Sequence, residues 1–202
     1  MLKLDHITVI APTLAEGCSH VRACLDLDVP FGQRHDYMGT YNHLLQLGDT
    51  VYLEIVALDP EADKPRRQRW FGLGDQKKVR TDWDEGRRLR GWVARTDSID
   101  AIIVNHQGIF GEKVPLPAVN SSFDFAVPDD GSLPLDGAAP SIIDRRGKAR
   151  NNGIEIVWTM FSGSREREEQ EFIAPMDARI VIAGTDRRIV MTALRDRHFG
   201  ST

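Results

Sequence analysis

The sequence predicts an α+β fold: two βαβββ modules curved into one cup-like mixed sheet, with a partial third βαββ unit at the C-terminus. Three observations predict it. Short runs alternating between polar and apolar residues, at 4–9 and 50–56, read as half-buried strands. A stretch with apolar residues at helical spacing follows the first strand of each module. The order strand, helix, three strands occurs at 2–58 and returns at 89–146, so the chain carries an internal repeat.

The first strand, 2–10, puts His6 and Thr8 on one face and Ile7 and Val9 on the other. Pro12-Thr13 opens a helix to about Leu25, whose apolar stripe is Leu14, Cys18, Val21 and Leu25. Pro30 and Gly32 break the chain before a strand at about 31–37. Residues 41–47 and 50–57 form a hairpin around Gly48-Asp49. A two-residue or symmetric four-residue turn sets His43 across from Glu54, whereas a three-residue turn breaks that pairing. The second of these strands puts Tyr52, Glu54 and Val56 on one face.

Residues 59–87 are polar and rich in Pro, Gly, Arg and Asp. They also carry Trp70-Phe71-Gly72-Leu73 and Trp83, which a disordered linker seldom does, so the segment is expected to pack down as a strap over the cup. A strand returns at 89–95. Asp97 or Ser98 caps a helix to about Asn105, with Ile99, Ile102 and Ile103 facing inward. Strands follow at 112–117 and 122–127, then the turn Pro128-Asp129-Asp130-Gly131 and a strand centred on Ser141-Ile142-Ile143-Asp144. After a connector at 145–153, a strand at 154–161, a helix at 164–174 and strands at 178–183 and 188–194 complete the partial third unit. The domain reading is therefore 1–146, made of modules 1–58 and 88–146 joined by the strap 59–87. The 147–202 unit packs on the same domain.

A net charge of −4 argues against a general nucleic-acid binder. No run approaches the ~20 apolar residues of a membrane span, and no signal peptide is visible, so a cytoplasmic protein is expected. Cys18 and Cys24, six positions apart on one helix, are too distant for a disulfide and read as reduced thiols. There is no P-loop, GxGxxG or Cys/His zinc spacing.

The chemistry concentrates in His6 and Glu54, one polar group on each of two strands of one small sheet. They could be two ligands of a divalent ion, or a polar pair lining a ligand cleft. Glu54 could also serve as a general base. His43 is the candidate third ligand or catalytic partner, and otherwise a simple cross-strand partner of Glu54. Thr8 and Tyr52 could offer hydroxyls to a ligand, and Trp70 and Asp144 could contact it. The plainer readings are packing for Thr8 and Tyr52, an anchor holding the strap for Trp70, and a surface ion pair with Arg145 and Arg146 for Asp144.

The chain resembles the glyoxalase-like domain proteins of the vicinal oxygen chelate superfamily, which includes glyoxalase I, extradiol dioxygenases and bleomycin-resistance proteins. The resembling stretches are Leu4-Asp5-His6-Ile7, Gly39 to Asp49 with Tyr52-Leu53-Glu54-Ile55, Arg69-Trp70-Phe71-Gly72-Leu73, Trp92-Val93-Ala94-Arg95-Thr96 and Val127 to Leu135. The resemblance implies a metal-dependent lyase, isomerase or dioxygenase acting on a small substrate with vicinal oxygens. The alternative it implies is a non-catalytic binder using the same cup. It implies a divalent metal, one of Fe, Mn, Ni or Zn, and metal ligands on the first and last strands of each module. In module one these are His6 and Glu54, with His43 as a third. In module two they fall on Gly91, which has no side chain, and on Asp144. A small-molecule ligand is implied, no membrane or nucleic-acid partner, and a homodimer is compatible.

Overall fold

A computed structural model describes residues 2–47, 50–114, 116, 123–147 and two short strands beyond them. Its first module is β1 (Lys3–Ile10), α1 (Leu14–Leu25), β2 (Phe31–His35), β3 (Thr40–Gln46) and β4 (Tyr52–Leu58). The second is β5 (Leu89–Thr96), α3 (Ile99–Phe110), β6 (Glu112–Lys113), β7 (Asp124–Val127) and β8 (Ser141–Asp144). Between them the strap carries a short 3-10 turn, Trp70–Gly72, and a helix, α2 (Gln76–Asp84), which the sequence reading did not include. The predicted third unit lies outside the described residues, apart from β9 (Phe172–Ile173) and β10 (Arg179–Ile180), which pair antiparallel. Phe172–Ile173 is strand where the sequence placed the end of a helix.

Thr13 caps α1: its hydroxyl accepts from the Glu16 backbone N–H at 3.2 Å and donates to the Glu16 carboxylate at 2.7 Å. The helix ends where Asp26 turns left-handed. α3 runs further than the sequence suggested, to Phe110, with a kink at His106.

The eight strands form one curled mixed sheet in the order β2-β3-β4-β1-β5-β8-β7-β6. Within each module the first and last strands are parallel neighbours, as the helical crossover between them allows. The modules meet where β1 and β5 run antiparallel. Two irregularities interrupt that seam: Asp5 is the extra residue between Leu4↔Ala94 and His6↔Val93, and Arg90 the extra residue between Thr8↔Gly91 and Val9↔Leu89. Laying Leu4-Asp5-His6 on Leu89-Arg90-Gly91 superposes the two bulges, so the repeat reaches down to single residues.

Both faces of the sheet are covered. Ile7, Val9, Leu53 and Ile55 pack against Leu14 and Val21 of α1. Ala94 and Ile142 pack against Ile99 of α3. On the concave face Ile10, Val56, Val93, Phe125 and Ile143 pack against Trp70, Phe71, Leu73 and Val79 of the strap. The strap therefore fills much of the cup, which is why β1 is buried along nearly its whole length.

Candidate functional site

Strand alternation puts His6 and Thr8 of β1 and Tyr52 and Glu54 of β4 on the concave face, and the parallel register brings them together, His6 opposite Tyr52 and Thr8 opposite Glu54. His6 is 3 % exposed and Glu54 5 %. The His6 Nε2 lies 3.3 Å from the Glu54 Oε2. The Thr8 hydroxyl points at the same oxygen from 3.5 Å, the outer limit of a hydrogen bond. Tyr52 stacks on the His6 ring, centroids 4.4 Å apart and planes 19° from parallel.

Asp5 holds the other side of His6. Neighbours on a regular strand point to opposite faces, but the bulge at Asp5 turns its carboxylate to the His6 Nδ1, 2.7 Å away. Arg145 clamps that carboxylate through Nε at 3.1 Å and a terminal nitrogen, and donates to the Tyr52 hydroxyl at 2.9 Å. Burial pushes Asp5 up, but the hydrogen bonds and charges of His6 and Arg145 outweigh it and hold the carboxyl well below the usual carboxylate range. Both His6 nitrogens thus face carboxylate oxygens. With one ring proton, on Nδ1, the Nε2 lone pair faces Glu54; with a second, the ring donates to both acids.

A second set of groups holds Glu54 from the β2–β3 side. The Asn42 Nδ2 donates to the Glu54 Oε1 at 2.6 Å and lies 3.3 Å from the His35 Nε2. Burial raises the Glu54 carboxyl, and His6 and Asn42 more than offset this, so it is ionised. Burial also drives His35 down to about 4, against the charges of Glu54 and Asp36, so it is neutral.

Not every predicted residue joins the site. His43 pairs with Ile55, not Glu54, because three residues separate Leu47 from Val51, whose backbones bond at 2.9 Å. That odd count shifts the register by one and turns His43 to the other face, where its Nδ1 sits 2.5 Å from the Val29 carbonyl and its ring meets Phe31 edge-on. Asn42 takes the inward position instead. Asp144 is also displaced. Thr8 lies opposite Glu54 and its counterpart Val93 lies opposite Ser141, so Ser141 occupies the position matching Glu54. Asp144 lies three residues on and accepts from the Arg146 backbone N–H at 2.8 Å. Trp70 is buried, gives its indole N–H to the Thr40 hydroxyl at 3.1 Å and packs edge-on against His35.

The residues do not fit a resident catalytic ion, which ordinarily takes three protein ligands. His6 and Glu54 are two suitable donors, and the Asp5–His6 bond is the outer-sphere support such ligands usually have. Among the described residues a third is missing. At Gly91 a side chain would meet the Thr8 Cβ at 3.0 Å and the Phe71 ring at 3.6 Å. Among the described residues no cluster of three or more His, Cys, Asp or Glu side chains is placed to hold a metal.

The chain matches the glyoxalase-like domain family over residues 4–176. It belongs to that family, within the vicinal oxygen chelate superfamily. Solved structures with a similar fold include methylmalonyl-CoA epimerase from Streptomyces coelicolor, 18 % identical, with 70 % of this chain and 96 % of that chain covered and a TM-score of 0.43. A hypothetical protein from Bacillus halodurans C-125 is 18 % identical over 74 % of this chain and 99 % of its own, with a TM-score of 0.46. Methylmalonyl-CoA epimerase from Mycobacterium tuberculosis is 16 % identical over 70 % and 85 %, with a TM-score of 0.42. No curated protein matches the chain in sequence. Among the described residues of this glyoxalase-like chain, no helix is long and apolar enough to cross a membrane.

Proposed function

We propose that this glyoxalase-like chain acts on a small carbonyl compound with neighbouring oxygens by moving a proton, with Glu54 as the base and His6 as its proton-sharing partner. The observation that carries this is the placement of one buried carboxylate 3.3 Å from one buried imidazole on the concave face. The reaction class is isomerase-like: a C–H next to a carbonyl gives its proton to Glu54, and the proton returns to the same or the adjacent carbon. His6 stabilises the ionised carboxylate and can accept or lend a proton at Nε2. Asp5, clamped by Arg145, fixes the ring so that Nε2 faces Glu54. Asn42 fixes the other carboxylate oxygen. Both members of the pair are buried, which strengthens the charge interaction between them.

The two-donor set counts against the extradiol dioxygenase reading, which needs a second His from the protein. The non-catalytic alternative uses the same cup, with Glu54 as an anchor for a polar ligand. Proton exchange in D2O separates the two. We expect NMR to detect deuterium entering the carbon next to the carbonyl of at least one member of a panel. The panel is a small 2-oxo acid, the hemithioacetal of a small aldehyde, and a malonyl-type thioester. Glu54→Gln should slow that exchange about 10²- to 10⁴-fold, the ordinary contribution of a positioned acid or base. Binding of a panel member without exchange in the wild type would favour the binding protein.

A further inference from the structure

The hydrogen bonds beyond Glu54 run through Asn42 and His35 and end at the Tyr37 hydroxyl. Asn42 Oδ1 accepts from the Gln33 backbone N–H at 2.9 Å, which fixes the amide orientation and makes Nδ2 the donor. Nδ2 faces both the Glu54 Oε1 and the His35 Nε2. An N–H on Nε2 would then confront an amide N–H, so His35 Nε2 is the acceptor and the single ring proton sits on Nδ1. Nδ1 lies 3.1 Å from the Tyr37 hydroxyl and donates to it. The Gln33 side-chain nitrogen lies 3.4 and 3.5 Å from the two ring nitrogens, nearly equidistant, and does not choose between them.

The Tyr37 oxygen is therefore an acceptor for His35, and its own O–H is left to donate elsewhere. Among the described residues no further partner takes that proton. Tyr37 is half-buried on the concave side, packed edge-on against Trp70 at 5.9 Å, and close enough to Glu54 to feel its charge. Burial, with that charge, raises its phenol, so it keeps its proton at neutral pH.

Building on the proton-transfer reading, we infer that Tyr37 donates its hydroxyl hydrogen bond to a substrate oxygen. That oxygen gains negative charge as Glu54 removes the neighbouring proton. The step balances without a co-reactant: the C–H pair moves onto the carbonyl as an enolate, Glu54 holds the proton, and Tyr37 hydrogen-bonds the oxygen without losing its own proton. Its orientation is imposed from Asn42 through the His35 tautomer, so the base and the donor are set by one amide.

Acetohydroxamate, a small planar molecule with two neighbouring oxygens, is the probe. The chain has three tyrosines, so protein labelled with 3-fluorotyrosine gives three fluorine resonances, and the one absent from Tyr37→Phe is Tyr37. Saturating acetohydroxamate is expected to shift that resonance in the wild type. By calorimetry Tyr37→Phe should bind the probe about tenfold or more weakly, the loss expected for one hydrogen bond to a polarised oxygen. His35→Phe, which frees the Tyr37 oxygen from its donor, should move the same resonance without probe. Equal affinity in Tyr37→Phe, an unmoved Tyr37 resonance at saturation, or no binding by the wild type overturns the inference. Failure of the Glu54 reading looks different: binding and the resonance shift persist, but no panel compound exchanges deuterium.

Discussion

His35 is the residue whose chemistry has the clearest consequence for stability. Its pKa falls from 6.5 to about 4 because burial disfavours its charged form. The unfolded chain then binds a proton that the folded chain refuses, so stability rises with pH across this window and is lost as pH falls from 6.5 towards 4. The full loss is on the order of 3 kcal/mol for such a shift. Asp5 and Glu54 act lower down. Their folded carboxyls are held below the ordinary values, so their contribution is complete above about pH 4.5 and disappears only beneath it. Urea unfolding between pH 7 and 3 should show two stages, and His35→Gln should flatten the upper one while leaving the lower. A wild type equally stable at pH 6.5 and 4.5 would contradict a neutral His35.

At the level of elements, the order of strands and helices was legible because each has a period of its own. Ile7 and Val9, or Leu53 and Ile55, announce which face meets α1. The helix in the strap was not legible. Of Gln76–Asp84 only Val79, Asp82 and Trp83 are buried, and Asp82 is charged, held by ion pairs to Arg87, Arg90 and Lys78. The inward turn of Asn42 hung on a single residue in the β3–β4 connection, and the reach of Asp5 to His6 on a bulge; neither leaves a periodic trace. Arg145 read as a surface charge beside Asp144, yet its long side chain returns to β1. Gly17 is a further hidden constraint. A Cβ there would stand 2.4 Å from the Ile55 Cγ2 and 2.9 Å from the Ala11 Cβ, so α1 lies as close to β4 as a helix with no side chain at that point allows. Gly17→Ala gains up to about 1 kcal/mol of helix propensity. The overpacking should cost more, about 1–3 kcal/mol before that gain. We expect a lower urea midpoint, and a higher one would mean that α1 slides freely on the sheet.

At the scale of the whole fold, the two modules are alike in backbone and unlike in chemistry. Asp5 on one bulge pairs with Arg145, and Arg90 on the matching bulge pairs with Asp82, so each half anchors its first strand with a buried ion pair of reversed polarity. Beside the first pair lie His6, Thr8 and Glu54. At the matching positions lie Gly91, Val93 and Ser141, and the Phe71 ring of the strap packs there. Phe71 adopts a left-handed backbone, φ 56°, which a non-glycine residue holds only when its surroundings insist. One half of the cup thus carries polar side chains and the other is plugged, and among the described residues a divalent ion would find donors on one side only. Calorimetry with Mn, Ni and Zn should accordingly give micromolar or looser affinity in the wild type, and none in His6→Ala. That variant should still fold, since Arg145 continues to hold Asp5. A group acting only in the outer sphere would cost about 10–100-fold, so complete loss on removing His6 identifies a direct ligand. Tight stoichiometric binding that survives His6→Ala would place the ion elsewhere in the chain and return metal chemistry to the account of this fold.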